Sequence, residues 1–442
     1  MRHAVAAMLV VGDEIFIVQR QSYLPAFPGY CAFPGGKIDA EDEQQAAVIS
    51  GDNDAAHVNA VCRELQEELS FDLVEATNNQ QILSFSYFGT ATTPVTEVVR
   101  FAVHHYKITL PQKPCFTLDH NELQTGKWFK FIDFHRQYLA GEALLVTPML
   151  RAVIALIENP QLEILNDFSD DPDSKALDFY PFLHDVFYAA VPSNTLPPAY
   201  ATNSILVGDE HHPKVLVDPS PKSIEVLAEL KTVLDGYQVD AILLSHHHPD
   251  HHQFSMDIAR DRQIPVLCSE VTLERLHQTL GIDYTLDVRV ELIAEGVAVT
   301  QWKGHAVRAY DLPGHDDGML GLAPDNMAWF FVADLAQSYG SIYIPEEEGD
   351  LTVYMQSLQR VIDLNPRVVL PSHGIAEGGV HMLQRTLDHR VERENQIRAL
   401  LEQGADHGAI LDSIYPDLAE NLKSLALQNI RQHIKKLDEI SV

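Results

Sequence analysis

Short apolar runs alternate with longer helical patterns along most of this sequence. The chain begins with an apolar stretch, turns at Gly12-Asp13 and continues as EIFIVQR, which predicts a β-hairpin. A mixed pattern of strands and helices continues to about Glu158, and apolar spacing predicts the last helix of this part at Pro148 to Ile157. The first third of the chain is therefore predicted to be a mixed α/β domain.

Polar, acidic and proline-containing residues at 166–174 interrupt the pattern and predict a linker. A second αβ segment follows to about Gly379, and helical patterns then occupy His389 to Gln403 and Ser424 to Leu437. The predicted fold class is an α/β and α+β multidomain protein. Its predicted parts are a domain at residues 1–165, a linker at 166–178, a second domain at 179–385 and a helical unit at 386–442.

Composition narrows the classes of function. With 442 residues the chain is too long for one core, and its 46% hydrophobic and 21% charged residues are typical of globular proteins. The net charge of -32 argues against bulk binding of nucleic acid, although a local basic groove stays an open alternative. No apolar run reaches the roughly 18 residues that cross a membrane, so we expect a cytoplasmic protein. We also expect its substrates to be small molecules. The four cysteines are widely spaced, which predicts free thiols, and nothing in the sequence predicts the oligomeric state.

Metal-binding side chains follow directly after four apolar runs of the second segment. Such short runs predict strands buried on both faces, and ligands in open sheets collect beyond strand ends. Imidazoles and carboxylates suit zinc or a similar ion, so we expect one metal site built from all four places. The groups that follow the runs are Ser245-His246-His247-His248-Pro249-Asp250-His251, Pro313-Gly314-His315, Ala333-Asp334 and Pro371-Ser372-His373-Gly374.

In this order the four groups resemble the motifs of the metallo-β-lactamase superfamily, whose fold is an αββα sandwich. The resemblance covers about residues 180 to 380 and implies a site for two zinc, iron or manganese ions. It assigns His246, His248 and His315 to one ion, Asp250, His251 and His373 to the other, and Asp334 to both. Asp218 matches a buried aspartate that orients ligands, and Asp250 is the implied catalytic carboxylate. His247 and His252 are not expected to bind metal.

Two features depart from the family pattern. Ala333 stands where a glycine usually precedes the bridging aspartate, and His252-Gln253-Phe254 replaces a common Gly-Gly. The bridging aspartate and final histidine resemble the glyoxalase II and ribonuclease branches. The helical tail resembles the lactamase-beta-2 branch, which ends in a winged-helix-like unit, although an ordinary amphipathic cap is an alternative. A pair of cations would activate water to attack an ester-like carbonyl or a phosphodiester.

A second candidate site lies in the first domain. The sequence Phe33-Pro-Gly-Gly-Lys-Ile-Asp39 precedes a predicted helix on which Glu64, Glu67 and Glu68 share one face at i, i+3 and i+4. Such a face is either a solvated acidic stripe or a site for magnesium or manganese. The preceding glycines favour the metal site.

These residues resemble the Nudix hydrolases, an α/β/α sandwich whose box is GX5EX7REUXEEXGU. Gly36 matches the opening glycine, and Arg63 to Glu68 match REUXEE, which implies that Glu64, Glu67 and Glu68 bind the catalytic magnesium or manganese. The box is about a dozen residues too long and Ser70 replaces the late glycine. Glu41 and Asp42 are alternatives for the early carboxylate. Downstream residues resemble the branch with coenzyme A diphosphatases, which makes Glu122 a candidate ligand or base.

Three hypotheses for the whole protein follow. The first is a metal-dependent hydrolase that cleaves a thioester or ester in one domain and a nucleoside diphosphate-linked, coenzyme A-type pyrophosphate in the other. The second assigns phosphodiesterase or endoribonuclease activity to the second domain. In the third, the Nudix domain only binds a nucleotide and regulates the hydrolase.

Overall fold

The structure is a computed structural model that describes residues 1–51, 53–93, 100–168, 177–338 and 340–440. Most of the predicted linker at 166–178 therefore lies outside the described residues. The chain divides into two compact units, one of Met1–Ala176 with Tyr180–His184 and one of Leu177–Phe179 with Asp185–Val442. The multidomain α/β class is confirmed, while the finer boundaries at 165, 178 and 385 stay a prediction.

The first unit begins with the predicted hairpin, in which Val11 lies opposite Glu14. Its main sheet has the order β3-β2-β1-β5-β4, with β1 and β5 parallel, and β6 pairs with the other edge of β2. The strands of the unit are β1 (Arg2–Val11), β2 (Glu14–Arg20), β3 (Cys31–Ala32), β4 (Ser84–Thr92), β5 (Phe101–Thr109), β6 (Leu123–Lys130) and β7 (Tyr180–Leu183).

Helices cover both faces of this sheet because the side chains of β1 alternate between two cores. Val5, Ala7 and Leu9 pack in a core with α2 and α3, whereas Met8 and Val10 pack in another core with α4 and α5. The unit is thus the predicted α/β/α sandwich. Its helices are α1 (Ala40–Gln44), α2 (Ala55–Leu69), α3 (Leu73–Asn78), α4 (Phe131–Leu139) and α5 (Thr147–Glu158).

The second unit contains two sheets, and both carry short buried strands as predicted. The first of them has the order β13-β12-β11-β10-β9-β8, and its strands from β10 to β13 run parallel. Apolar side chains of α6 and α8 share a core with these strands. The strands are β8 (Val186–Pro192), β9 (Ala201–Val207), β10 (Val215–Val217), β11 (Ala241–Leu243), β12 (Val266–Cys268) and β13 (Val290–Leu292).

The other sheet of this unit runs in the order β14-β15-β16-β17-β18-β19 and is antiparallel except for β17 and β18. Three of the four predicted ligand groups follow strands β15, β17 and β18, and the fourth follows β11. The strands are β14 (Ala298–Trp302), β15 (His305–Asp311), β16 (Leu320–Pro324), β17 (Phe330–Ala333), β18 (Val368–Pro371) and β19 (Glu377–Gly378).

Helices complete the second unit. A 3-10 helix spans Ile282–Thr285, and the described tail from residue 381 to 440 consists of three helices without a strand. The α-helices are α6 (Ile224–Leu234), α7 (Pro249–His252), α8 (Ser255–Arg262), α9 (Glu270–Leu280), α10 (Leu351–Leu364), α11 (His381–Glu402), α12 (His407–Ile414) and α13 (Glu420–Ile440). Among the described residues, no helix has both the length and the apolar character that crossing a membrane requires.

Candidate functional site

The histidines and aspartates predicted from the four loops converge in the second unit. His246 follows β11, whereas His248 and Asp250 lie at the start of α7. The short connection between this strand and this helix therefore supplies ligands to both trios. The ligand atoms of His246, His248 and His315 lie within 4.8 Å of one another, as do those of Asp250, His251 and His373. The structure thus brings together both trios that the sequence predicted.

Asp334 lies between these two trios. One of its oxygens, Oδ2, is 3.6 Å from Nε2 of His315 in the first trio. The other oxygen, Oδ1, is 3.6 Å from Nε2 of His251 and 3.5 Å from Nε2 of His373 in the second trio. A carboxylate that divides its oxygens in this way has the geometry of a bridge between two ions.

The ring nitrogens of the first trio that face one another carry lone pairs if the three imidazoles are neutral. His315 Nδ1 donates to the carbonyl of Tyr343 at 2.6 Å, and His248 Nε2 lies 2.7 Å from the Glu348 carboxylate. In neutral imidazoles the remaining nitrogens then carry lone pairs, although His248 Nδ1 is only 2.9 Å from His315 Nε2. A cation between them would turn this repulsion into coordination.

Asp218, the aspartate that the resemblance implies as a buried support, is fully buried and lies where it can orient two further histidines. It contacts His251 Nδ1 at 2.8 Å and accepts from the hydroxyl of Ser245 at 2.5 Å. Ser245 Oγ in turn lies 3.0 Å from His246 Nδ1. Both histidines therefore present Nε2 to the site. His373 does the same, because its Nδ1 donates to the carbonyl of Ala201 at 2.9 Å.

Two atoms of the site are buried without a hydrogen-bond partner among the described residues, namely His251 Nε2 and Asp334 Oδ1. Burying an unsatisfied polar atom costs on the order of 1–3 kcal/mol. A metal ion coordinated by both atoms would remove that cost. The donor set of imidazoles and carboxylates also suits divalent ions such as zinc. The residues present therefore fit a pair of metal ions.

Protonation equilibria agree with this arrangement. Burial lowers the pKa of His315 to about 4 and that of His246 well below its usual value, so both are neutral at pH 7. Burial alone would also lower the pKa of His251 and His373, but Asp334 and Asp250 raise it for both. A metal ion would take the place of the protons that these carboxylates attract.

His247 and His252 contact partners outside the two trios, and His247 forms a further candidate ligand group with His248, Asp316 and Glu348. His252 Nδ1 lies 2.8 Å from the hydroxyl of Tyr284. His247 contacts Asp316 through Nδ1 and Glu348 through Nε2, the latter at 3.2 Å. Sequence reasoning missed Glu348 and gave Asp316 no role. Glu348 belongs to a run of three glutamates that resembles a solvated surface segment, and it lies 100 residues from His248.

Both departures from the expected motif coincide with left-handed backbone. Ala333 has a φ of 48° and Phe254 a φ of 61°, conformations that favour glycine. A residue with a Cβ costs roughly 1–2 kcal/mol in this region. Ala333 and Phe254 thus keep a backbone conformation that glycine adopts readily, whereas Gln253, with a φ of -55°, does not need glycine.

The candidate site of the first unit lies at α2 and the preceding glycines. Glu68 accepts from the backbone N–H of Gly35 at 2.9 Å, and an added Cβ on Gly36 would lie 2.3 Å from a carboxylate oxygen of Glu64. Burial raises the pKa of Glu64 and raises that of Glu68 to about 8. Both carboxylates are thus withdrawn from water, which favours a cation beside them.

Arg63 organises the other acidic groups of this site. It pairs with Asp42 at 2.9 Å and with Glu67 at 3.1 Å. Asp42 is buried and Glu41 is exposed, so the structure favours Asp42 as the early carboxylate. The charge of Glu122 contributes to the raised pKa of Glu64 and Glu68, which places it near them.

The two sites differ in how closely their ligand atoms gather. Among the described residues, the groups of three or more candidate ligands within 4.8 Å all belong to the second unit. Glu67 is 59% exposed at its side chain and is tied to Arg63. The carboxylates of the first unit share a helix face as predicted, but they do not converge on one point.

Comparisons with known proteins agree with both halves. Residues 197–373 match the family model of the metallo-beta-lactamase superfamily, and residues 1–148 match that of the NUDIX domain. A solved beta-lactamase domain protein from Burkholderia ambifaria shares the fold with a TM-score of 0.52 and 19% identity, covering 62% of this chain and 91% of that one.

Two curated relatives are similar to part of this chain. The Beta-lactamase-like protein 2 homolog of Drosophila melanogaster is 26% identical over 247 residues, covering 54% of this chain and 82% of the relative. The Atrochrysone carboxyl ACP thioesterase of Aspergillus fumigatus is 28% identical over 173 residues, covering 38% of this chain and 48% of the relative. With the two family matches, these findings show that the chain joins a NUDIX domain to a domain of the metallo-beta-lactamase superfamily, both of them families of hydrolases.

Proposed function

We propose that the second unit hydrolyses a thioester or ester at a dinuclear metal site. The observation that carries this proposal is the position of Asp334, whose two oxygens face two separate trios of ligands. His246, His248 and His315 would hold one ion, Asp250, His251 and His373 the other, and Asp334 both. Zinc is the proposed metal, with iron or manganese as alternatives that the same donors accept.

When bound, the ion pair would supply an activated water and stabilise negative charge on the substrate. The protein's own part is to orient the donors. The ring nitrogen of each histidine that faces away from the site is held by another group, and these groups are Asp218, Tyr343, Ala201 and Glu348. The side chain of Asp250 is 14% exposed, compared with 10% for Asp334, the other proposed carboxylate ligand. It is therefore the carboxylate best placed to meet substrate and is proposed as the catalytic acid-base group.

The thioester is the preferred substrate bond because one relative of this unit is named as an acyl-carrier-protein thioesterase. In the proposed reaction, water attacks the acyl carbon and the carbon–sulfur bond breaks. The products are a carboxylic acid and a free thiol. The strongly acidic composition makes a polyanionic RNA substrate less favourable.

For the first unit we propose hydrolysis of a pyrophosphate linked to a nucleoside. Glu64, Glu67 and Glu68 would hold magnesium or manganese, which binds the diphosphate, and Glu122 is a candidate further ligand or base. Arg63 and Gly36 would shape the site through the Arg63–Asp42 pair and the close approach of Gly36 to Glu64. An acyl-coenzyme A contains both a thioester and a pyrophosphate, so one molecule would offer a bond to each domain.

The test is an activity screen of the full chain after reconstitution with zinc and magnesium. The substrates are an acyl-coenzyme A, a chromogenic phosphodiester, a labelled single-stranded RNA and nucleoside diphosphate derivatives. We expect release of free thiol from the acyl-coenzyme A, and loss of that release in Asp250→Ala. Cleavage of the phosphodiester or RNA without thiol release would contradict the thioester proposal, and full activity of Asp250→Ala would contradict the site.

A binding role of the NUDIX domain is the second candidate. It is favoured by the exposed, Arg63-paired state of Glu67 and by the absence of a convergent carboxylate group among the described residues of this unit. Titration with ADP-ribose, a dinucleotide and coenzyme A distinguishes the two. Binding without turnover supports regulation, whereas turnover that is lost in Glu67→Gln supports catalysis.

A further inference from the structure

A loop of the second unit contacts two of the proposed histidine ligands at the ring nitrogen that faces away from the metal site. This segment, residues 342–350, is called here the support loop. Its Glu348 side chain lies 2.7 Å from Nε2 of His248, and its Tyr343 carbonyl accepts from Nδ1 of His315 at 2.6 Å. Because each contact occupies one ring nitrogen, it fixes the tautomer and rotation that aim the other nitrogen into the metal site.

Glu348 is itself held in position by a second histidine. Its other oxygen lies 3.2 Å from Nε2 of His247, whose Nδ1 contacts Asp316. Asp316 is fully buried and also accepts from the backbone N–H of Gly318 at 2.6 Å. The series of side-chain contacts from Asp316 through His247 to Glu348 thus ends on His248. In this series His247 helps to hold Glu348, although His247 does not face the metal site.

Polar side chains of α13 hold the backbone of the support loop. Gln432, which is 3% exposed, donates to the carbonyl of Pro345 at 2.7 Å and to that of Gly349 at 3.0 Å. Asn429 accepts from the N–H of Ile344 at 3.0 Å, and Gln428 contacts the hydroxyl of Tyr343. One helix therefore holds the loop at both ends and in its middle.

We propose that Glu348 is a positioning residue for His248 and that α13 maintains metal affinity by holding the support loop. This inference rests on the ligand set of the proposed function. The loop supplies no ligand of its own to either trio. Its effect would be to keep His248 and His315 in an orientation in which their lone pairs face the same point, which reduces the ordering that metal binding must otherwise bring about.

The test measures zinc affinity of the full chain by competition with a chelator, in excess magnesium to occupy the first unit. Glu348→Ala is compared with Glu347→Ala, a matched control that removes the same side chain from the exposed neighbouring position. We expect Glu348→Ala to weaken zinc binding about 10- to 100-fold, as loss of such a contact typically does, and Glu347→Ala to leave it unchanged. Glu348→Gln keeps an acceptor for His248 and should restore part of the affinity.

A second variant, Gln432→Met, tests the helix without touching the metal site. It removes both hydrogen bonds to the loop while nearly keeping the side-chain volume. We expect weaker zinc binding in this variant as well. A lower unfolding temperature with unchanged zinc affinity would overturn the role of α13.

The direct ligand variant His315→Ala separates failure of this inference from failure of the proposed site. Unchanged affinity in Glu348→Ala, with strong loss in His315→Ala, overturns the positioning role and leaves the proposed function intact. Unchanged affinity in both variants overturns the ligand set itself. If Glu348→Ala loses one whole equivalent of zinc while the remaining ions bind as before, the cluster is a metal site of its own and the positioning role is wrong.

Discussion

At the scale of single residues, buried histidines serve two different ends in this protein. In the second unit their free nitrogens converge on the proposed ions. In the first unit His105 is 5% exposed, stacks on Phe168 with ring centroids 4.3 Å apart and contacts the carbonyl of Val103. Burial lowers the pKa of His105 to about 4, so it is a neutral core residue rather than a ligand.

His105 should make stability of the first unit depend on pH. Its folded pKa of about 4 lies below the unfolded value of 6.5, so the unfolded chain binds more protons between these values and stability falls as pH drops through this window. At pH 5 the loss is about 2 kcal/mol relative to pH 7. Thermal unfolding at both pH values should show a smaller pH effect in His105→Phe than in the wild type. An equal shift in both proteins would contradict this assignment.

The proposed metal ligands and the supporting Asp218 could be predicted from the sequence, whereas Glu348 and the Tyr343 carbonyl could not. His246, His248 and His315 have fixed spacing after apolar runs, and imidazole chemistry limits what such a pattern means. Glu348 contacts His248 only because the chain folds back over 100 residues, and Tyr343 acts through a backbone carbonyl, which carries no sequence signal. The spacing of the box does not distinguish Asp42 from Glu41, whereas the burial of Asp42 and its ion pair with Arg63 favour Asp42.

At the scale of elements, close packing around Gly314 places His315. Gly314 has a φ of 128°, and an added Cβ would lie 2.3 Å from the backbone nitrogen and Cα of Tyr354 at the start of α10. Only glycine can therefore join β15 to the ligand while α10 stays in place. The Pro-Gly-His sequence predicted the ligand, but the neighbouring helix that makes the glycine necessary was not visible in it.

Gly314→Ala should be more damaging than an alanine at a glycine that also has a positive φ but has open space around it. Gly296 is the control, because its φ is 83° and nothing lies within 4 Å of an added Cβ. Gly296→Ala should cost about 1 kcal/mol from its backbone alone, and Gly314→Ala should cost more, because overpacking adds about 1–3 kcal/mol and its φ of 128° suits alanine less well. Thermal unfolding and zinc binding measure both variants. Equal destabilisation would show that Tyr354 does not constrain this turn.

The approximate positions of several elements followed from the sequence, although their exact ends did not. The opening hairpin and the strands before the ligands occur as predicted, because short apolar runs between turn residues have few alternatives. Helix α11 begins at His381, eight residues before the predicted start at His389. Its first residues lack a clear apolar stripe, since Met382 and Leu383 are buried next to each other.

At the scale of the whole molecule, each candidate site is built from residues of one unit. The His and Asp ligands all belong to the second unit, and Arg63 with its glutamates belongs to the first. The two proposed activities should therefore be separable by substitution. The sequence predicted this organisation because each motif is local to one segment.

Reciprocal variants test this independence. Glu67→Gln should lower diphosphate hydrolysis at least about 100-fold, since it alters a proposed metal ligand and catalytic group. It should leave thioester hydrolysis within about twofold, as independent sites behave additively. Asp334→Ala should show the opposite pattern, and Glu43→Gln, an exposed position on α1, serves as the control for Glu67→Gln. Loss of both activities in either single variant would contradict independent sites.

The most direct test of the dinuclear hydrolase is a zinc titration of the metal-free full chain, followed by thiol release from an acyl-coenzyme A in excess magnesium. We expect no activity without zinc, a rise that levels off when two ions per chain are bound at the His/Asp site, and no comparable rise in Asp334→Ala. Thiol release that persists without metal, or full activity with a single ion, would contradict it.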